Sequence, residues 1–119
     1  MKTILIVDDQ PGIRILLNEV FQKEGFQTIL AANGLEALKL FNEHDVDCVI
    51  LDMKIPGMNG LEILQNIKKQ KEEVPVMMIT AYGEQDLIDV ALSEGALAYF
   101  TKPFNIFEVV NKVKVAVEK

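Results

Sequence analysis

The sequence predicts an α/β fold: a parallel sheet covered by helices on both faces. Short β-rich runs alternate with amphipathic helical segments along the whole chain. In such a series each right-handed crossover has to pack back on the sheet. Three of the five runs are almost continuously apolar, as the central strands of a parallel sheet are when both faces are buried. The chain has 119 residues, 50% hydrophobic and 25% charged, which fits one domain built on one core.

The first strand is expected over residues 4–7, ILIV. A helix over 11–24 follows, because Ile13, Leu16, Leu17, Val20 and Phe21 are spaced to form one apolar stripe. Gly25 ends it, as glycine just past a helix commonly does. Residues 26–31 read as the second strand, with weaker alternation. Asn33 followed by Glu36 has N-capping spacing and opens a helix to about Glu43. The third strand is 48–51, ending in Asp52. Asn59 and Glu62 repeat the capping spacing ahead of a helix carrying Leu61, Leu64 and Ile67. Residues 74–79 form the fourth strand, closed by Thr80, and a helix over 84–94 stops at Gly95. The fifth strand is 97–100. Asn105 and Glu108 then cap a last helix through Val110, Val113 and Val117. The chain closes within that helix, so a single domain over 1–119 with no output domain is expected.

Charge narrows the function. The formal net charge is −6 and the isoelectric point about 4.7, so direct binding to nucleic acid phosphates is not expected. Cys48 is the lone cysteine, which rules out an internal disulfide and suits a reducing, cytoplasmic setting. The N-terminal apolar run of four residues is too short for a secretory signal. The longest stretch without a charge, 25–35, is too short to cross a bilayer.

Ligands of open α/β sheets sit beyond the carboxyl ends of the strands. There the sequence places Asp8 and Asp9 after strand one, Asp52 after strand three, Thr80 after strand four, and Lys102 with Pro103 after strand five. Three carboxylates on one rim repel each other unless a positive charge lies among them. A hard divalent cation with oxygen ligands answers that, and Mg²⁺ typically takes one or two carboxylates plus waters and a phosphate. Lys102 adds a permanent positive charge. A phosphoryl dianion is then welcome, and a carboxylate can attack it to form an aspartyl phosphate.

The pair DD at 8–9, the aspartate of LDMKIPGMNG at 52, the threonine of ITAYG at 80 and KP at 102–103 resemble the receiver domain of bacterial two-component response regulators. The resemblance covers the whole chain. It implies a flavodoxin-like fold with strand order 2-1-3-4-5. It also implies that Asp52 is the phosphoacceptor, and that Asp9 binds Mg²⁺ (or Mn²⁺) directly while Asp8 acts through water. The Lys54 backbone carbonyl would be a further ligand. Thr80 and Lys102 would hold the phosphoryl group, the bond before Pro103 would be cis, and Tyr99 would be the aromatic switch residue beside Thr80.

The stretches ILIVDDQ, GIRILLNEVF, AANGLEAL and ITAYGE resemble more closely the single-domain regulators of sporulation phosphorelays. That likeness implies transfer from a sensor histidine kinase to a histidine phosphotransferase, with an aspartyl-phosphate phosphatase as a possible further partner. It also implies docking through Gln10, Gly12, Ile13, Arg14, Ile15 and Leu16, with Tyr82 and Phe104 across the site. Such a chain is a signalling phosphoacceptor and not an enzyme with a separate substrate.

Each residue has a plainer reading. Adjacent aspartates can merely cap a helix, a lone lysine is usually solvated, and a strand-end threonine suits a strand. Their joint placement at four strand ends outweighs those readings. Tyr99 could be core, Ile13 and Leu16 could be packing alone, and His44 lacks a ligand partner nearby and is expected in solvent. Cys48 reads as an inert small hydrophobe. Competing functions are a chemotaxis-type regulator acting by phosphorylation-dependent binding and a Mg²⁺-dependent aspartyl phosphatase. The phosphatase usually needs DxD after strand one and a cap. A receiver used purely for docking would have lost some of the five key residues, and all are present. No GxxxxGK[ST] or GxGxxG supports a nucleotide or flavin binder.

Overall fold

A computed structural model describes residues 1–55, 57–81 and 83–118. Five strands alternate with five helices: β1 Thr3–Val7, α1 Pro11–Lys23, β2 Gln27–Ala31, α2 Gly34–Glu43, β3 Cys48–Asp52, α3 Gly60–Gln70, β4 Val76–Ala81, α4 Gln85–Ser93, β5 Ala98–Lys102 and α5 Ile106–Val117. The strands form one parallel sheet in the order β2-β1-β3-β4-β5. The expected fold class and strand order are therefore observed.

The three apolar runs are the three interior strands, and period-two alternation divides their side chains between two cores. Leu5, Val7, Val49, Leu51, Val76 and Met78 face α2, α3 and α4 through Phe41, Ile63, Leu64, Ile67 and Ile88. Ile4, Ile6, Cys48, Ile50, Met77 and Ile79 face α1 and α5 through Leu17, Phe21, Val109 and Val113. Cys48 is fully buried, and burial pushes its thiol up to about 12, so it stays a protonated hydrophobe.

Local chemistry sets the ends. Asn33 and Asn59 each accept a hydrogen bond from the N–H three residues on, at 2.9 Å in both cases. The Glu36 carboxylate accepts from the Ala32 N–H, and the Asn59 side-chain amide donates to the Glu62 carboxylate. Asn105 accepts from the Phe107 and Glu108 N–H groups. Helix α1 ends with Gly25 at φ +94° and paired bonds from Gly25 N to Gln22 O and from Phe26 N to Phe21 O. This left-handed closure is repeated by Gly95 at the end of α4.

Four expectations need correction. Phe26 belongs to the α1 closure and stacks edge-on against Phe21, so β2 starts at Gln27. Strand β4 starts at Val76 and runs through Thr80 to Ala81, because Val74 turns back onto Lys71 and Pro75 has no N–H to give. Strand β5 starts at Ala98 and continues to Lys102, so Lys102 is a strand residue. Leu16 is not on the buried stripe: it is 43% exposed, while Ile13, Leu17, Val20 and Phe21 make the contact with the sheet.

Candidate functional site

The carboxyl ends of β1, β3, β4 and β5 meet at one rim. Asp52 continues the Cys48–Ile50 alternation of β3, and Lys102 continues the Ala98–Phe100 alternation of β5. Both therefore keep the parity of the sheet face covered by α1 and α5. Thr80 has the parity of Val76 and Met78, the opposite face of β4.

Asp8, Asp9 and Asp52 each bring a carboxylate oxygen into a group whose members all lie within 4.8 Å of one another. Asp8 is 1% exposed and Asp52 4%, while Asp9 faces solvent. The Lys102 Nζ lies 3.0 Å from Asp52 Oδ2 and 3.4 Å from Asp8 Oδ2. It also donates to the side-chain Oε1 of Gln10 at 2.7 Å. Backbone N–H groups take the other carboxylate oxygens, Gln10 N on Asp8 Oδ1 at 2.9 Å and Lys54 N on Asp52 Oδ1 at 3.0 Å. The Arg14 guanidinium donates to the Asp8 carbonyl at 2.6 Å.

Two buried polar atoms have no hydrogen-bond partner among the described residues, Asp8 Oδ2 and Thr80 Oγ1. Burial raises the Asp8 pKa; the Gln10 N–H opposes this, and the Asp52 charge adds to it. Partial burial works to lower the Lys102 pKa, but its bond and attraction to Asp52, with the attraction to Asp8, outweigh this and leave it raised. Three carboxyl groups share this rim with the Lys102 ammonium and the Arg14 guanidinium.

That chemistry fits a divalent cation. The donors are all hard oxygens of one cluster, and Asp8 Oδ2 is buried with no hydrogen bond among the described residues, its nearest cation being the Lys102 ammonium at 3.4 Å. Bound there, a cation would neutralise the excess charge and polarise a phosphoryl oxygen.

The expected site residues are found as follows. Asp8, Asp9, Asp52 and Lys102 converge, and the Thr80 hydroxyl is buried at the adjoining strand end. The Lys102–Pro103 bond is cis. Lys54 meets Asp52 through its N–H, and its ammonium pairs with Glu84, a carboxylate the sequence reading did not single out. Tyr99 is 43% exposed on β5, so it is not a core residue here. Gln10, Gly12, Ile15 and Leu16 are exposed, Ile13 packs partly into the core, and Phe104 packs against the α1–α5 cluster. Tyr82 lies outside the described residues. His44 is exposed. Gln10 and Arg14, expected to face a partner, both touch the site. Their places at the N-cap and first turn of α1 were the available signal, since that turn lies directly over the end of β1.

A parallel sheet in this order, with acid pairs and a lysine at its carboxyl rim, defines a phosphoacceptor domain of the receiver class. Residues 4–114 match the response regulator receiver domain, and the chain belongs to that family. It is 58% identical over 111 residues to sporulation initiation phosphotransferase F of Bacillus subtilis, a match spanning 93% of this chain and 90% of that protein. It is 39% identical over 106 residues to regulatory protein AtoC of Escherichia coli, spanning 89% of this chain and 23% of that one. Among solved structures, a receiver domain protein of Clostridium thermocellum superimposes with a TM-score of 0.94 at 30% identity, covering 99% and 95% of the two chains. The response regulator TrrA of Thermotoga maritima, in complex with Mg²⁺-BeF, gives 0.85 at 44% identity, covering 98% and 99%. No helix among the described residues is long and apolar enough to cross a membrane.

Proposed function

We propose that the chain is a cytoplasmic phosphorelay intermediate that accepts a phosphoryl group on Asp52 from a sensor histidine kinase and passes it to a histidine phosphotransferase. The observation that carries this is the Lys102 ammonium bridging Asp52 and Asp8 within the three-carboxylate cluster. The near-full-length likeness to a protein named as a phosphotransferase of sporulation initiation supports the relay role.

An Asp52 carboxylate oxygen attacks the phosphorus of a phosphohistidine. The new O–P bond forms as the P–N bond breaks, and the departing imidazole keeps the electron pair and takes up a proton. The reverse step, toward a second histidine, returns Asp52 to its carboxylate. Transfer of this kind rests on positioning and charge neutralisation. Asp9 directly, Asp8 through water, an Asp52 oxygen and the Lys54 carbonyl would hold Mg²⁺ (or Mn²⁺), which supplies charge neutralisation at the phosphoryl oxygens. Lys102 pairs with one phosphoryl oxygen and the Thr80 hydroxyl donates to another. Tyr99, now exposed, turns toward the space that Thr80 leaves. The chain modifies only itself and turns over no separate substrate. Partners dock on the exposed α1 surface at Gly12, Ile15 and Leu16, and an aspartyl-phosphate phosphatase would use the same rim.

Incubation with acetyl phosphate and Mg²⁺ tests the assignment. The wild type takes one acid-labile, hydroxylamine-sensitive label, and Asp52→Asn takes none. Stoichiometric label on Asp52→Asn places the acceptor elsewhere.

A further inference from the structure

Gln10 was expected to dock a partner at the start of α1. Its side chain instead turns back over the end of β1 and accepts from the Lys102 Nζ at 2.7 Å, the shortest contact that ammonium makes. We infer that Gln10 is a positioning residue that limits how closely Lys102 approaches Asp8 and so keeps the space between Asp8, Asp9 and Asp52 open to a divalent cation. This rests on the phosphoacceptor reading and deepens it.

The geometry gives the reason. Asp8 Oδ2 is buried and accepts no hydrogen bond among the described residues, although the ammonium is only 3.4 Å away. Charge alone would draw Lys102 deeper, onto both carboxylates at once. The neutral Gln10 oxygen draws it the other way, so that it pairs with Asp52 at 3.0 Å and more loosely with Asp8 at 3.4 Å. Without that acceptor, the ammonium would close further on Asp8 Oδ2 and compete with a cation for the same oxygens. Gln10 is well suited to the task. Its backbone N–H is already fixed on Asp8 Oδ1 at 2.9 Å, so the side chain starts from an anchored position. An acidic residue there would have bound Lys102 as firmly but added a fourth negative charge to the rim.

Gln10 is exposed and its side chain makes no helix cap, so replacing it does not threaten the fold. Gln10→Met keeps the length and removes the acceptor. Mg²⁺ alone is titrated into each protein and followed by amide chemical shifts at Asp8, Asp9 and Asp52, with no phosphoryl donor present. Gln10→Met should weaken Mg²⁺ binding at least threefold in the wild-type background. In a Lys102→Ala background, where there is no ammonium to hold, the same substitution should leave Mg²⁺ affinity unchanged, which a double-mutant cycle reads directly. Labelling by acetyl phosphate should show the same split: a higher Mg²⁺ requirement in Gln10→Met, with the rate restored at saturating Mg²⁺. An unchanged affinity in Gln10→Met, or an equal loss in both backgrounds, overturns the inference while leaving Asp52 as acceptor. A wild type that binds no Mg²⁺ at these three residues overturns the phosphoacceptor reading instead.

Discussion

Replacing Thr80 with valine should stabilise the unphosphorylated protein while removing its response to phosphorylation. Thr80 is 1% exposed and its Oγ1 has no hydrogen-bond partner among the described residues. A buried hydroxyl without a partner costs about 1–3 kcal/mol. Valine has the same branched shape and the same strand preference, so it fits the β4 position opposite Thr101 with little repacking. Exchanging the hydroxyl for a methyl should therefore recover about 1 kcal/mol, the low end of that range, since the larger methyl gives some of it back. For a chain of 119 residues, an unfolding entropy of about 2.1 cal/mol/K per residue converts this to a Tm increase of roughly 4 °C. Thermal unfolding without Mg²⁺ or phosphoryl donor measures it. The second arm uses acetyl phosphate and Mg²⁺. Thr80→Val should still be labelled on Asp52, but amide shifts near Tyr99 and α4 should no longer follow, because no hydroxyl is drawn to the phosphoryl group. A Tm that falls by about 2 °C or more would refute the reasoning, since it would mean that the hydroxyl is already satisfied, for instance by water. Persistent shifts near Tyr99 in the labelled variant would separate Thr80 from the switch.

Two further outcomes are expected. The Asp8 carboxyl has a raised pKa, chiefly through burial, so the folded state holds this proton more tightly than the unfolded chain, whose value is near 3.8; its contribution to stability is complete below that value and is lost as pH rises through the folded pKa. Urea unfolding of metal-free protein should then show Asp8→Asn gaining on the wild type as pH rises from about 4 to about 7, and a gap that narrows over this interval would contradict the burial argument. Ile15 is 56% exposed, so Ile15→Ala should leave the Tm and labelling by acetyl phosphate within error of the wild type. Transfer from a histidine kinase should fall about tenfold, equivalent to about 1.4 kcal/mol of docking; an unchanged transfer rate would move the docking surface away from α1.

Much of this molecule is legible in its sequence because its signals are local or periodic. The continuous apolar runs of β1, β3 and β4 announce interior strands before any topology is known. Asn33, Asn59 and Asn105 mark three helix starts by a three-residue spacing that is itself the capping bond. The strand-end placement of Asp8, Asp52, Thr80 and Lys102 needs only the rule that each crossover returns the chain to a strand running in the same direction, so that all carboxyl ends share one rim. What stays hidden depends on three dimensions. Phe26 looks like a strand residue by composition, yet its N–H is committed to closing α1. Leu16 fits a generous stripe by spacing, but the helix presents only four of those five side chains to the sheet. The inward turn of Gln10 and Arg14 depends on how α1 sits over β1, and one-dimensional periodicity does not carry that angle. The Lys54–Glu84 pair joins two loops 30 residues apart with no motif to announce it.

The hidden and the legible residues meet in one physical feature, a site assembled against its own stability. The core beneath the rim is fully satisfied: the interior strands are buried on both faces and hydrogen-bonded on both edges. The two orphaned polar atoms, Asp8 Oδ2 and Thr80 Oγ1, both lie at the ends of those strands. Each lacks a hydrogen bond among the described residues, and in the proposed function one would meet a cation and the other a phosphoryl oxygen. A ligand shifts a conformational equilibrium only by the difference in its affinity for the two states. Groups already satisfied in the resting state could supply no such difference, because binding would exchange one bond for another. Groups with no hydrogen bond among the described residues leave room for a cation and a phosphoryl group to add interactions on arrival. Gln10 extends the same logic to Lys102: a neutral partner that is easily exchanged takes the ammonium's shortest contact and leaves its pair with Asp8 loose at 3.4 Å. The energetic room for switching is thus set by what the resting site leaves unbonded, while the two packed cores keep the frame that must not move.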